Sequence, residues 1–113
     1  MTENEFIKQT KAKLDKNRDV PDFIIKEIDD FISTHECSCK IWNFRGDLIQ
    51  LGEETDIYTL KDAENSYKRA IEINPDDYEA YEELGHFFDA VLDDETEAEN
   101  WFNIAEMKKI KSE

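Results

Sequence analysis

The stretch Ala70-Ile-Glu-Ile-Asn-Pro-Asp-Asp-Tyr-Glu-Ala-Tyr-Glu-Glu-Leu-Gly-His-Phe-Phe88 contains the end of one helix, a turn and the start of the next. Pro75 disfavours helical backbone at the residue before it, and Asp76 or Asp77 offers a side-chain oxygen to cap the helix that follows. Downstream, Tyr81, Leu84, Gly85 and Phe88 recur at the three-and-four spacing that gathers residues on one helix face. Upstream, Ala63, Tyr67, Ala70 and Ile71 do the same.

Sliding the chain by 39 residues lays Phe31–Trp42 over Ala70–Tyr81. Trp42 then falls on Tyr81, Gly46 on Gly85 and Ile49 on Phe88, while Ile28 falls on Tyr67 and Ile24 on Ala63. Self-similarity at such a period is the mark of stacked supersecondary units. Extending the pattern outward predicts six helices, over 3–16, 21–34, 39–51, 59–73, 78–91 and 95–110. Val20-Pro21-Asp22 opens the second, with Phe23, Ile24, Ile28 and Phe31 along its face. Asp93-Asp94-Glu95-Thr96 places negative charge at the start of the last, whose apolar residues are Ala98, Trp101, Phe102, Ala105 and Ile110. The expected fold class is all-α, a short α-solenoid of antiparallel helix pairs.

Composition agrees. Three Gly and two Pro leave little punctuation for a strand-rich fold, and seven Phe, four Tyr and two Trp exclude a disordered acidic tail. The 113 residues fit one domain. A net charge of -15, from 29 acidic and 14 basic residues, disfavours nucleic acid and anionic membranes as partners. Basic proteins or peptide segments suit it instead. The N-terminal residues have no secretory pattern, and no apolar run is long enough to span a membrane. Cys37 and Cys39 stand too close together to staple the fold, so a cytoplasmic location is expected.

The residues themselves resemble the tetratricopeptide repeat family. Tyr81-x2-Leu84-Gly85-x2-Phe88 followed by Ala98-x3-Phe102-x2-Ala105 is similar to that family's pattern, as is Trp42-x3-Gly46-x2-Ile49 followed by Ala63-x3-Tyr67-x2-Ala70-x4-Pro75. Residues 39–77 form a repeat with an insertion around Gly52–Tyr58, and 78–111 form a second repeat. Residues 1–38 are expected to be a degenerate helix pair or cap, with Glu36 where the closing proline belongs. Arg45 stands where the family carries leucine.

The resemblance implies a partner-binding groove lined by the first helix of each pair, at Lys40, Asn43, Asp47 and Gln50 and at Glu79, Glu82, His86 and Asp89. Lys40 and Asn43 would suit the clamp with which some members grip a terminal carboxylate, but Glu79, Glu82 and Asp89 would repel such a ligand. An acidic groove favours a Lys- or Arg-rich segment through charge-assisted hydrogen bonds. The alternative is a small acidic inhibitor, of the immunity-protein kind, that neutralises a basic toxin or nuclease.

The Cys37-x-Cys39 spacing is tighter than a zinc knuckle, and no calcium loop, phosphate loop or hydrolase motif occurs. No cofactor and no catalysis are therefore expected. Stacked pairs leave end faces, which the N-terminal unit or a second copy of the chain is expected to cover.

Overall fold

The computed structural model describes residues 1–14, 20–52 and 57–112. It is all-helical, with no strand among the described residues. Helices α1 (Glu3–Leu14), α2 (Asp22–Thr34), α3 (Cys39–Leu51), α4 (Leu60–Ile73), α5 (Tyr78–His86) and α6 (Glu95–Ser112) follow one another along the chain. The predicted helix over 78–91 is present, but its last residues, Phe87–Val91, form a π-helical turn. Asp15 and Lys16, predicted to end α1, and much of the insertion near Gly52 lie outside the described residues. Among those described, no helix is long and apolar enough to cross a membrane.

Local chemistry explains where the helices begin. Thr2 and Glu5 exchange backbone and side-chain hydrogen bonds at the start of α1, and Thr59 and Asp62 do so at the start of α4. Of the two candidate caps before α5, Asp77 takes the role: its Oδ1 accepts from the Glu79 amide at 3.0 Å. Asp94 does the same for α6, accepting from the Glu97 amide at 3.1 Å. Glu3 caps a helix other than its own. Its carboxylate accepts from Ser38 N, Ser38 Oγ and Ile41 N at 3.0, 2.8 and 3.1 Å, which ties α1 to the positive end of α3.

The helices pack as neighbouring pairs. In the α3/α4 pair Cys39 clusters with Ala70 while Gly46 meets Tyr67, so the two helices run antiparallel. In the α5/α6 pair Lys109 sits over the Tyr78 ring at 5.3 Å and Gly85 meets Phe102, again antiparallel. Ala63, Ala70, Ala98 and Ala105 are all buried, and their small side chains allow this close approach. The α1/α2 contact uses larger groups: the Phe6 ring stacks on Phe31 with centroids 4.3 Å apart.

One core runs from α2 to the π turn, through Ile24, Ile28, Ile41, Leu48, Tyr67, Leu84 and Phe87. Two expected face residues are corrected. Phe23 is 57% exposed and Ile25, at 3%, takes its place inside, because the buried stripe of α2 runs through Ile24, Ile25, Ile28 and Phe31. Ile110 is 62% exposed near the end of α6.

Candidate functional site

The two glycines that aligned in sequence perform the same task in space. A Cβ on Gly46 would lie 2.6 Å from the Tyr67 ring, and one on Gly85 would lie 2.6 Å from Phe102. Each aromatic side chain therefore crosses its partner helix over a glycine and reaches the residue beyond. The Tyr67 hydroxyl donates to Asp47 Oδ1 at 2.7 Å and accepts from Gln50 Nε2 at 2.5 Å. Phe102 has no hydroxyl, and its ring meets His86 edge-on at 5.0 Å. Asp47 and His86 are 39 residues apart and occupy equivalent places.

Across the seam from Asp47 stands Glu83 of α5. Burial, the hydrogen bond it shares with Asp47, and the charges of Asp47, Glu79 and Glu82 push its carboxyl up to about 8. These influences favour the protonated form of Glu83, whose O–H donates a hydrogen bond to Asp47. Burial, followed by the charge and hydrogen bond of Asp47, also raises the Tyr67 phenol well above its ordinary value. Asp47, Gln50, Leu51 and Glu83 line a recess of about 320 Å³ at this point.

The eight groove positions differ in exposure. Lys40, Glu79, His86 and Asp89 are exposed, and Glu82 is half-buried. Asp47 and Gln50 are drawn together beneath Tyr67. Asn43 is only 6% exposed, and neither atom of its amide has a partner among the described residues. Asp89 lies in the π turn, whose wider winding breaks the register with Gln50.

Glu83 was not among the expected residues. The 39-residue shift sets it on Phe44, a core residue of α3 that has Lys11 of α1 5.8 Å from its ring centroid. A carboxyl at the register of a buried aromatic was the available signal.

Arg45 also has a structural account. Its Nε donates to Asp29 Oδ1 at 2.7 Å and its guanidinium reaches Ser66 Oγ at 2.6 Å, linking α2, α3 and α4. Cys39 is buried, and its thiol donates to Asp77 Oδ2 at 3.1 Å. Cys37 lies half-buried in the turn before α3. Among the described residues, no three His, Cys, Asp or Glu side chains are gathered as metal ligands would be. Comparison with protein-family models, with curated proteins and with solved structures finds no match.

Proposed function

We propose that the chain is a tetratricopeptide-type binding module that takes a Lys- or Arg-rich segment of a partner protein along the face shared by α3 and α5. One observation carries this reading. Asp47, Glu79 and Glu82 all lie close enough to Glu83 for their charges to bear on it, whereas Glu27, Asp29, Glu64 and Glu72 pair with basic side chains. Among the described residues, no lysine or arginine forms an ion pair with Asp47, Glu79, Glu82, Glu83 or Asp89. Concentrated charge of one sign without internal neutralisation attracts an opposite charge from outside and speeds encounter with it.

The test begins with affinity capture from the source cell and identification of the bound protein. Charge reversal by E79K/E82K is then compared with E99K/E106K, which makes the same net change on the exposed surface of α6. The first pair should weaken binding about a hundredfold at low salt, and the second far less. Unchanged binding by E79K/E82K would end this reading, and equal loss by both pairs would reduce it to net charge.

A further inference from the structure

Helices α1, α3 and α5 lie side by side and point the same way. The Glu3 carboxylate meets Ser38 and Ile41 at the start of α3, while Lys11, further along α1, stands over Phe44, 5.8 Å from its ring centroid. Asp77 at the start of α5 accepts from the Cys39 thiol at the start of α3, and Glu83, further along, bonds Asp47. Phe44 and Glu83 are 39 residues apart, and each faces the helix before its own. Lys11 therefore holds at the first seam the place that Asp47 holds at the second, on the same side of the row.

Along this row the sign of the exposed charge reverses. On α1, Asn4, Ile7, Lys8 and Lys11 recur at three-and-four spacing and line one shallow recess. Both lysines are exposed, and no acid forms an ion pair with either among the described residues. Lys40 is exposed on α3, and the 39-residue shift puts the exposed Glu79 of α5 in its place. Glu82 and Asp89 complete the acidic end.

We propose that this face docks a second copy of the chain, with α1 of each copy on α5 of the other. The pairing uses the same acidic face as the basic-segment reading above, so a partner's segment must displace the second copy. A two-fold axis along α3 makes the α1–α5 contact twice and closes the assembly. An axis across the row would instead set α1 on α1 and α5 on α5, like charge on like. Rotation about α3 leaves height along the helices unchanged. Lys11 is level with Phe44, and Glu79 lies one turn before Glu83, which is level with Asp47; Lys11 of one copy thus comes opposite Glu79 and Glu82 of the other. Leu51, the last residue of α3, is 72% exposed and meets its own counterpart near the axis. Repulsion between two chains of net charge -15 is screened beyond about 8 Å in physiological salt, whereas the opposed groups meet at close range.

Sedimentation equilibrium of the full chain at about 100 μM in physiological salt should show a species of twice the chain mass that dissociates on dilution. K8E/K11E should weaken self-association at least about tenfold, and E79K/E82K should do the same. Mixing these two variants should restore it, because both contacts of the mixed pair again join opposite charges. Circular dichroism confirms that each variant folds. A wild-type chain that stays monomeric, a dimer that survives both reversals, or a mixture that fails to associate would overturn the pairing. The basic-segment reading is judged separately, by partner capture with E79K/E82K against E99K/E106K.

Discussion

The Tyr67 ring crosses Gly46 so closely that a Cβ there would sit 2.6 Å from it. Tyr67 is 0% exposed, and Asp47 and Gln50 hold its hydroxyl, so the ring has nowhere to move. Alanine favours a helix over glycine by up to about 1 kcal/mol, while overpacking a core costs about 1–3 kcal/mol. At Gly46 the clash dominates, and G46A should lose about 2 kcal/mol of stability in urea unfolding. At Gly85 the facing ring belongs to Phe102, which is partly exposed on the last helix and can yield. G85A should therefore fall within about 1 kcal/mol of wild type.

The Arg45–Asp29 pair should show measurable coupling. The arginine side chain is 13% exposed and the aspartate 40%, so the pair lies between a buried and a surface ion pair. Tyr58 also donates to Asp29 Oδ2 at 3.1 Å, and the Arg45 guanidinium lies 5.9 Å from the Trp42 ring centroid. R45M should cost about 1–3 kcal/mol and D29N somewhat less. A double-mutant cycle on R45M and D29N should return an interaction energy of about 1 kcal/mol or more. A value near zero would show that Arg45 acts through packing alone.

The helical plan was readable because it depends on local signals. Pro75 and Asp77 mark a boundary through their own chemistry, and Gly46 and Gly85 recur with the aromatic residues they face. The features that escaped notice depend on what lies across a seam. The resemblance put Asp47 and Gln50 together on one face of α3, yet it says nothing of the Tyr67 hydroxyl that joins them. Glu83 looks like one more acid on an acidic helix until Asp47 is set opposite it. The π turn at Phe87–Val91 is composed of residues that read equally well as α-helix, so its change of register at Asp89 was hidden.

The two cysteines should separate by reactivity. Burial, then the hydrogen bond and charge of Asp77, push the Cys39 thiol up to about 11. Burial and the charge of Glu3 raise Cys37 as well, but that residue stays half-buried in a turn. Alkylation near pH 8, followed by peptide mass mapping, should label Cys37 at least about tenfold faster, with Cys39 protected until the chain unfolds. Equal rates would show that the Cys39–Asp77 contact opens freely.

Glu83 should leave a signature in the dependence of stability on pH. Below its ordinary value of 4.5 the carboxyl is protonated in folded and unfolded chains alike. Between there and about 8, the unfolded chain has released this proton while the folded chain still holds it. Folding then binds a proton, so the stability associated with Glu83 is complete at acid pH and lost as pH rises through that window. Repulsion among the other acids has the same sign, which makes the difference between wild type and E83Q the useful quantity. E83Q should match wild type near pH 4 and exceed it above pH 8 by about 1–2 kcal/mol, a figure kept small because Glu83 is only half-buried and solvent screens it. Urea unfolding of both proteins across this range would check it, and parallel curves would show that Glu83 and Asp47 do not share a proton.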